Sequence, residues 1–487
     1  MKKAGLALLF CVCVLTSVKG QEASDRLITE ALNSPSLETN LRRLTDEVGG
    51  RVPGTPAMQG AVDWGVAAFK AAGADSVHTE TFTIPTSWAE GDTRMEVVAP
   101  EAFKVRSISL AWAPALSPQH HVPIMDVGAG TPEDFGKAGN FAGAILLVHS
   151  EEMKAWEDLF AEYLNAPGII DRAVRGKALA IAFQSTRPHD LLYRHTNSLD
   201  GTIDRLPMVL MAREDAARMA RLIASGQKLY ADLAIPNHVG GPIQAANVVA
   251  ELRGAEKPEQ FVILGAHLDS WELGTGALDN GCNAALVIDA LRAIKAAGLR
   301  PRRSIRFILF SGEEEGLLGS HAYAGAHRNE LDQAAGVVIF DSGTGKTTGF
   351  SLGGRKDVVP AATRLVAPLQ QFGATTLTTN AEWGTDHFDF MLEGVPTFVA
   401  DQEEANYLIN YHAMSDTFDK VDMAQLKKHV AEAATVTFGI ADAAEAIGPR
   451  LTHAQIEQTM RETHLDELMK TFGMWPAWQK GKLGRAE

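Results

Sequence analysis

The chain has 487 residues, a formal net charge of −15, 46% hydrophobic residues and 22% charged residues. That composition is typical of globular proteins, so it excludes wholesale disorder and collagen-like repeats, and the length predicts two or three domains. The acidic balance argues against a nucleic-acid partner, because binding phosphates requires a basic face.

Residues 1–20 have the pattern of a cleaved secretory signal. Two lysines precede a short apolar run over 5–17, and small residues follow it up to Gly20. A retained membrane anchor is the alternative, but about 13 apolar residues are too few to span a bilayer. We therefore expect cleavage near Gly20, export to the periplasm or the exterior, and no stable membrane span in the mature chain. Cys282 would then be the one remaining cysteine, so no intrachain disulfide is expected.

The first part of the mature chain, residues 21–119, is predicted to contain two helices and a strand. Apolar residues recur at helical spacing over 24–46 and again over 57–72, where the second helix stops before a glycine. Residues 76–85 have the alternation that predicts a strand. We assign this part to the main domain of the chain.

The sequence pattern changes at residue 120 and stays different up to residue 240. Short apolar strands are predicted here, together with a helix over 213–224. The strands lie at 143–149, 178–183 and 206–211. We predict an inserted domain over 120–240. Because it contains no catalytic group of residues, we interpret it as a lid or spacer.

Residues 241–449 are predicted to form the rest of the main domain, in which strands and helices alternate. A helix is predicted over 283–296. Strands are predicted over 247–252, 261–266, 304–310, 336–340 and 395–400. The last three are near-continuous apolar runs, which are typical of parallel strands covered on both faces, so we predict an α/β fold with a mostly parallel central sheet flanked by helices. The C-terminal tail, 450–487, is predicted to be helical at first and loose afterwards.

Three of these buried strands end in polar residues that a hydrophobic core would not select. The residues that follow them are His267 and Asp269, the run Glu313, Glu314 and Glu315, and Asp341. Open parallel sheets bind ligands at the carboxyl ends of their strands. So many carboxylates around one histidine would repel one another unless a cation were present. Asp279 and His412 lie in nearby loops, and nitrogen and oxygen ligands without sulfur suit Zn, Mn or Co.

Each piece alone also has an ordinary structural interpretation. A single histidine at a strand end is usually structural, and a run of glutamates is usually a solvated face or the start of a helix. The same placement at three strand ends, joined by Asp279 and His412, favours a metal site over coincidence.

The order of these residues resembles that of the co-catalytic di-zinc exopeptidases, the family of the bacterial leucyl aminopeptidases and the glutamate carboxypeptidases. The matching phrases are His267-Leu-Asp269-Ser, Ala-Leu-Asp279-Asn, Glu313-Glu314-Glu-Gly-Leu-Leu-Gly-Ser, Asp341 and His412. Those most similar to the carboxypeptidase Q branch are His-Leu-Asp-Ser-Trp271, Gly384-Thr385-Asp386 and Gly394-Val395-Pro396. The resemblance covers about 240–445. It implies a zinc-exopeptidase, phosphorylase-like α/β fold whose insert resembles a protease-associated domain.

The resemblance also implies a set of metal ligands. His267 and Asp341 would bind one zinc ion, and Glu314 and His412 would bind the other. Asp279 would bridge the two ions, which gives two Zn²⁺ per chain. Each ion would then have one histidine, one carboxylate of its own and the shared carboxylate, an arrangement that suits two-metal hydrolysis.

Two further acidic residues would take part in catalysis by the same resemblance. Asp269 would orient His267 through a hydrogen bond to its second ring nitrogen. Glu313 would be the general base that takes a proton from the attacking water and passes it to the leaving amine. In the run of three glutamates, the family pattern makes Glu314 the ligand and Glu315 the free position, which we expect to face the following helix and solvent.

Asn280 departs from the family pattern, because most relatives carry a second aspartate there. The resemblance implies a structural position joined to Asp279 by a cis peptide bond, so we expect the metal site to survive the departure. The sequence gives fewer indications of substrate specificity. Trp271 and Trp383 could line a side-chain pocket or merely pack, and Arg355 could hold a substrate carboxylate, although a surface position is the better interpretation.

The function that these residues predict is that of an exported zinc-dependent exopeptidase, which hydrolyses terminal bonds of small peptides or dipeptides with a two-metal-activated water. A non-catalytic, transferrin-receptor-like binding protein and a single-zinc, glutaminyl cyclase-like cyclotransferase are the alternatives. Proteins of the binding class lack the metal ligands that are present here. A metal count would distinguish the single-zinc cyclotransferase from a two-zinc peptidase. Whether the enzyme is an aminopeptidase, a carboxypeptidase or a dipeptidase is left open. The resemblance also allows a homodimer.

Overall fold

The computed structural model describes residues 21–486, so the predicted signal over 1–20 lies outside the described residues. Within 21–486, no helix is both long enough and apolar enough to cross a membrane. The strands are β1 (Ser76–Ile84), β2 (Trp88–Ala89), β3 (Arg94–Ala99), β4 (Phe103–Val105), β5 (Ser107–Ser109), β6 (Leu116–Asp126), β7 (Ile145–Val148), β8 (Ala180–Gln184), β9 (Met208–Met211), β10 (Tyr230–Ile235), β11 (His238–Val239), β12 (Ile243–Leu252), β13 (Lys257–His267), β14 (Arg303–Phe310), β15 (Ala334–Ile339), β16 (Thr347–Ser351), β17 (Thr376–Thr378) and β18 (Thr397–Gln402).

The helices alternate with these strands along the chain. They are α1 (21–32), α2 (Leu37–Arg42), α3 (Pro56–Ala72), α4 (Pro132–Ala138), α5 (Trp156–Arg175), α6 (Arg213–Ala224), α7 (Cys282–Ala296), α8 (Leu318–Ala326), α9 (Val359–Val366), α10 (His387–Leu392), α11 (Tyr407–Asn410), α12 (Met423–Asp442), α13 (His453–Glu462), α14 (Leu465–Thr471) and α15 (Trp475–Gln479). Short helical turns lie at Arg43–Val48, Ala277–Gly281, Arg328–Gln333, Lys356–Val358, Ala367–Gln371 and Phe418–Lys420.

The central sheet has eight strands in the order β1-β12-β14-β13-β15-β18-β16-β17. Its middle strands β14, β13, β15 and β18 are parallel, and helical crossovers connect them. β1 and β12 are antiparallel at one side, and β16 joins β18 antiparallel at the other. The predicted α/β class is therefore confirmed, with parallel pairing concentrated in the middle. Residues 253–256 are too few for a helical crossover, so β12 runs opposite to β13.

A second eight-stranded sheet has the order β4-β3-β10-β6-β7-β8-β9-β5 and uses residues 94–235. It has its own buried clusters, one around Leu146 and Ile181 and another around Leu147 and Val209. β3, β4 and β5 belong to this sheet although they precede residue 120, where the inserted domain is predicted to begin.

The helix predicted over 24–46 is interrupted. α1 ends at residue 32, and α2 begins at Leu37 after a turn that contains Pro35. The Ser34 hydroxyl accepts a hydrogen bond from the Leu37 N–H at 3.2 Å, which starts the new helix. The prediction of one continuous helix was wrong because the proline and the serine together break it.

The C-terminal tail is also more ordered than its composition predicts. α13, α14 and α15 pack a hydrophobic cluster against α10, and Trp478 is fully buried in it. The expectation of a loose tail was wrong, because Trp475, Trp478 and Met469 bury their apolar side chains beside Phe388.

Candidate metal centre

The carboxyl ends of the parallel strands bring the predicted ligands to one edge of the central sheet. His267 is the last residue of β13, and Asp341 lies two residues beyond β15. Glu314 follows β14, Asp279 lies in the turn before α7, and His412 lies just beyond α11. Five residues that are far apart in the sequence therefore face one another at a site where α/β sheets commonly bind ligands.

The donor atoms form two groups that share one carboxylate. His267 Nε2 is 3.2 Å from Asp279 Oδ1 and 3.0 Å from Asp341 Oδ1. His412 Nε2 is 3.4 Å from Asp279 Oδ2 and 2.7 Å from Glu314 Oε2. In each group, the potential ligand atoms lie within 4.8 Å of one another. One oxygen of Asp279 thus faces each histidine.

Buried oxygens in this centre have no hydrogen-bond partner. Apart from the histidine ring nitrogens at the distances given above, Asp279 Oδ2, Glu314 Oε1 and Asp341 Oδ1 are buried with no partner within the described part of the chain. Burial raises the pKa of the Glu314 and Asp341 carboxyls, and the negative charge of Asp279 raises both further. Such a set of carboxylates favours a compensating positive charge, which a bound divalent cation would supply.

The two histidines differ in their electrostatic surroundings. Burial lowers the pKa of His412 to about 4, so its imidazole is neutral at pH 7 and keeps a lone pair for a metal. Burial also lowers the pKa of His267, but the charges of Asp341 and the hydrogen bond with Asp279 raise it by more, to well above the usual range. A bound cation would remove that effect by competing with the proton for Nε2.

The contact predicted between Asp269 and His267 is made by a different atom. His267 Nδ1 is 3.0 Å from the backbone oxygen of Asp269, whereas Asp269 Oδ1 is 3.8 Å away. Asp269 Oδ2 instead accepts a hydrogen bond from the Glu314 N–H at 3.1 Å. The predicted side-chain bond is therefore wrong, since the turn after β13 presents the carbonyl to the ring. Asp269 therefore contacts both ligand segments: its carbonyl oxygen contacts the ring of His267, and its carboxylate contacts the backbone of Glu314.

Two buried charged residues hold the loops that carry the ligands. Arg51 is fully buried and donates hydrogen bonds to the backbone oxygens of Leu268 and Gly276, at 2.6 Å and 2.9 Å. Asp416 accepts hydrogen bonds from the Leu278 and Asp279 N–H groups, at 2.7 Å and 3.1 Å. The position of Asp279 thus depends on residues outside the ligand set.

The peptide bond between Asp279 and Asn280 is cis, as predicted. Asn280 is fully buried, and its Nδ2 donates a hydrogen bond to the Phe340 backbone oxygen at 3.2 Å. Its Oδ1 accepts one from Asn283 Nδ2 at 2.7 Å. Asparagine at this position therefore ties the Asp279 turn to the end of β15 and to α7.

The three consecutive glutamates have different surroundings. Glu313 Oε2 is 4.0 Å from His267 Nε2, and 12% of the Glu313 side chain is exposed towards the cleft, against 4% for Glu314. Glu315 is buried, with 1% exposure and no partner for either carboxylate oxygen among the described residues. The expectation that Glu315 faces solvent was therefore wrong. The loop between β8 and β9 of the second sheet lies over the next residue, because the Leu199 backbone leaves no room for a Cβ on Gly316.

A cleft of about 490 Å³ opens over the centre. Its floor contains the metal-ligand candidates and Glu313. One wall is formed by Trp156, Leu159, Phe160 and Tyr163, all from helix α5, which connects two strands of the second sheet. Helix α5 therefore brings this part of the chain over the candidate site.

Sequence reasoning missed the tyrosines of this cleft. The Tyr163 and Tyr411 hydroxyls are 3.0 Å apart, and the Tyr411 ring stacks on the ring of His412 with centroids 3.6 Å apart. Tyr407 donates a hydrogen bond to the Asp341 backbone oxygen at 3.2 Å. The position of Tyr411 next to a predicted ligand was an available signal, whereas nothing local marks Tyr163.

The three residues considered for substrate specificity occupy different environments. Trp383 lines the cleft, whereas Trp271 is buried and packs edge-on against His412 with ring centroids 5.9 Å apart. Arg355 is 4% exposed and pairs with Asp357 at 2.7 Å, away from the cleft. The interpretation of Arg355 as a surface residue was wrong, since it is buried against the backbone oxygens of Gly394 and Pro449.

The chain was compared with protein families and with known proteins, and both comparisons point to peptidases. Residues 247–437 match the model of peptidase family M28. The chain is similar to mouse carboxypeptidase Q, with 28% identity over 406 residues that cover 83% of this chain and 85% of the relative. Human carboxypeptidase Q is 27% identical over 409 residues, which cover 84% of this chain and 85% of the relative.

Solved structures show the same fold. A peptidase M28 precursor from Shewanella amazonensis SB2B superposes with a TM-score of 0.81 and 25% identity, and covers 89% of this chain and 99% of that one. A zinc aminopeptidase from Bacillus subtilis has a TM-score of 0.65 at 19% identity, and covers 85% of this chain and 98% of that one. The family resemblance found in the sequence is confirmed, and with it the prediction of a metallopeptidase.

Proposed function

We propose, from the premise that residues 247–437 form a peptidase of family M28, that the protein is an exported zinc-dependent exopeptidase that uses two metal ions. The observation that carries the proposal is the pair of donor groups joined by Asp279, because a shared carboxylate is what two adjacent ions require. The likeness to carboxypeptidase Q and to a zinc aminopeptidase supports the exopeptidase activity and the choice of zinc.

The donor set fits two zinc ions chemically. His267 and Asp341 would hold one ion, Glu314 and His412 the other, and Asp279 both. Each ion would then have nitrogen and oxygen ligands from three side chains, the number that catalytic zinc sites use. When bound, the ions supply the Lewis acidity that makes a water nucleophilic at neutral pH and polarises the scissile carbonyl.

The proton transfer is assigned to Glu313. Its carboxylate borders the cleft, 4.0 Å from the Nε2 atom of His267, and does not belong to either donor group. It takes the proton from the attacking water and delivers it to the nitrogen of the leaving amine. Burial raises the pKa of Glu313 well above its usual range, and the nearby Asp341 and Glu314 carboxylates act in the same direction. Bound cations would oppose this effect and leave Glu313 ionised to accept the proton.

We assign the second sheet the role of a cover, in the manner of a protease-associated domain. Helix α5 puts Trp156, Leu159 and Tyr163 over the cleft, so a bound peptide would be shielded from bulk water on that side. The small cleft admits the end of a peptide rather than a folded segment. This supports action on small peptides.

The test is hydrolysis of dipeptides with free, acetylated or amidated ends by zinc-loaded protein, with products identified by mass and metal counted by elemental analysis. We expect cleavage of unblocked dipeptides and two zinc ions per chain. One ion per chain would instead favour the cyclotransferase alternative. No cleavage of any dipeptide by protein that holds both ions would refute the proposed function. Export is tested separately by the N-terminus of the protein recovered from its native host.

A further inference from the structure

The two histidines of the metal centre differ in the surroundings of their second ring nitrogen. His267 Nδ1 lies 3.0 Å from the backbone oxygen of Asp269, which is a hydrogen-bond distance. His412 Nδ1 is buried and has no hydrogen-bond partner in the described part of the chain. Histidines that bind metals normally donate the second N–H to an oxygen, which fixes both the tautomer and the direction of the ring. The His412 ring must therefore be oriented by other contacts.

Two aromatic rings supply those contacts. The Tyr411 ring stacks on the face of the His412 ring, with centroids 3.6 Å apart and an angle of 22° between the planes. The Trp271 ring meets the His412 ring edge-on, with centroids 5.9 Å apart. Both His412 and Trp271 are buried. Because rings packed on a face and at an edge leave little room for rotation, the direction of His412 Nε2 depends on where the Tyr411 ring lies.

The position of the Tyr411 ring depends in turn on its hydroxyl. That hydroxyl lies 3.0 Å from the Tyr163 hydroxyl, which is a hydrogen-bond distance. Tyr163 belongs to α5, and α5 connects β7 with β8 of the second sheet. The hydrogen bond therefore joins two segments that are 248 residues apart in the sequence. It fixes the outer end of the Tyr411 side chain, so the ring is held both at its backbone and at its hydroxyl.

Tyr163 is itself held in place by its surroundings. Its ring contacts the rings of His195 and Trp383 edge-on, with centroids 4.5 Å and 6.2 Å away. Further along α5, Ile169 and Ile170 are buried in a hydrophobic cluster of the second sheet. A side chain positions a metal ligand well only when packing fixes that side chain too. Tyr163 meets this condition, although it does not belong to either donor group.

We propose that Tyr163 is a positioning residue for the metal ion that His412 and Glu314 would share, and that it acts through its hydroxyl on the Tyr411 ring. The inference rests on the proposed function, because it assumes that ions occupy the two donor groups. The second sheet would then take part in metal binding, in addition to covering the cleft. The other ion would not depend on Tyr163, because a backbone oxygen orients its histidine.

The test uses variants that lose a hydroxyl and keep the ring. Tyr163→Phe keeps the edge-on ring contacts, and Tyr411→Phe keeps the stack on His412. The double variant removes both ends of the same hydrogen bond. Tyr323→Phe is the matched control, because the buried Tyr323 hydroxyl accepts a hydrogen bond from Arg306 Nη1 at 3.0 Å and does not line the cleft.

Two measurements report on the metal sites independently of activity. Titration with zinc buffers gives the affinity for each ion, and Glu314→Gln identifies which of the two belongs to His412. The visible absorption spectrum of the Co²⁺-loaded protein reports the coordination geometry of the ions. We expect Tyr163→Phe to lower the affinity for the His412 ion by about tenfold, to change the Co²⁺ spectrum and to leave the other affinity unchanged.

The remaining variants show whether the two hydroxyls act as one unit. Tyr411→Phe should have the same effect as Tyr163→Phe, and the double variant should lose no more than either, because all three lose the same hydrogen bond. Tyr323→Phe should bind both ions like the wild type. Losses that add in the double variant would overturn the inference, since the two hydroxyls would then act separately.

The inference is also overturned if Tyr163→Phe binds both ions within about twofold of the wild type and leaves the Co²⁺ spectrum unchanged. A higher KM for leucyl-alanine at unchanged metal affinity would overturn it as well, by showing that the hydroxyl contacts the substrate instead. A wild type that binds two zinc ions and cleaves no dipeptide would refute the proposed function, while the affinities still decide the role of Tyr163. A wild type that binds no second ion would refute both.

Discussion

Arg187 Nη2 donates a hydrogen bond to the backbone oxygen of Tyr411 at 3.1 Å. Arg187 lies between β8 and β9 of the second sheet, whereas Tyr411 directly precedes the candidate ligand His412. The guanidinium is buried and lies 3.8 Å from the ring centroid of Tyr193. His412 has a φ of 60°, a conformation that the surroundings must stabilise. The second sheet therefore supports the segment that presents one histidine to the metal centre.

Replacing Arg187 should weaken one metal site selectively. In Arg187→Met we expect the affinity for one ion to fall by about 10- to 100-fold, because the support of its ligand is lost, while the other ion is retained. Titration with zinc buffers measures both affinities. Arg205→Met is the control, since the Arg205 side chain is 55% exposed and pairs with Asp171 at the surface. Unchanged binding of both ions in Arg187→Met would show that the contact does not position His412.

Glu313 and Glu314 should be separable by substitution although they are neighbours. Glu313→Gln keeps the shape and removes the proton acceptor, so we expect both ions to be retained while kcat falls by about 10²–10⁴. Glu314→Gln should instead lower the affinity for the ion that Glu314 would share with His412, whose Nε2 lies 2.7 Å from Glu314 Oε2. Kinetics and elemental analysis on the same samples distinguish the two. If Glu313→Gln loses an ion and Glu314→Gln keeps both, the assignments are reversed.

Three of the metal-ligand candidates, His267, Glu314 and Asp341, were predictable because each follows an apolar strand, whereas Asp279 and His412 lie in loops and were assigned through the family resemblance. An apolar run marks each parallel strand, and the residue at its end lies at the sheet edge whatever the rest of the fold does. Helix α6 was also predictable, since 213–224 has a clear apolar stripe and the structure places the helix at those residues. Helix α12 was not found, because it is buried on most sides and has no polar stripe to reveal its period.

The remaining features depend on contacts between distant segments. The second-sheet loop at Leu199 covers Gly316, beside the buried Glu315, and no residue near Glu315 in the sequence signals that loop. The bond from His267 to the Asp269 carbonyl depends on how one turn is oriented. The α5 wall of the cleft likewise depends on how the two sheets pack together.

Glu315 should be dispensable for chemistry but sensitive to charge and size. Glu315→Gln fits the same buried space and removes a carboxyl with unpartnered oxygens, so we expect kcat within about threefold of wild type and a higher Tm. Glu315→Lys should unfold at a lower temperature, because it buries a cation in a covered site. Thermal unfolding and kcat check both variants. An inactive Glu315→Gln that retains both ions would make Glu315 the base instead of Glu313.

Removal of the metal should abolish activity reversibly. Chelation should leave the five candidate ligands with uncompensated charge, so we expect loss of peptide hydrolysis together with a lower Tm. Addition of Zn²⁺ or Co²⁺ should restore both. Activity in protein shown by elemental analysis to be metal-free would contradict the two-metal proposal.

Glu432 is a buried carboxyl that does not belong to the metal centre, and it should make stability depend on pH. It lies in α12, is fully buried, and neither oxygen has a hydrogen-bond partner among the described residues. Burial raises the pKa of Glu432 from 4.5 to about 8, against smaller opposing effects of Thr347 and Lys428. The folded state therefore holds a proton that the unfolded state releases between these two pH values.

The direction of the effect follows from that difference in proton binding. The contribution of Glu432 to the free energy of unfolding is fully present below about pH 4.5 and is lost as the pH rises through about 8, by as much as about 5 kcal/mol. Glu432→Gln is neutral in both states, so its stability relative to wild type should rise from pH 5 to about pH 8 and then level off. Denaturant unfolding at saturating zinc measures this difference, with Glu38→Gln, at an exposed helical position, as the control. A Glu432→Gln difference that stays constant across this range would mean that the carboxyl is ionised in the folded protein and that a cation or water compensates its charge.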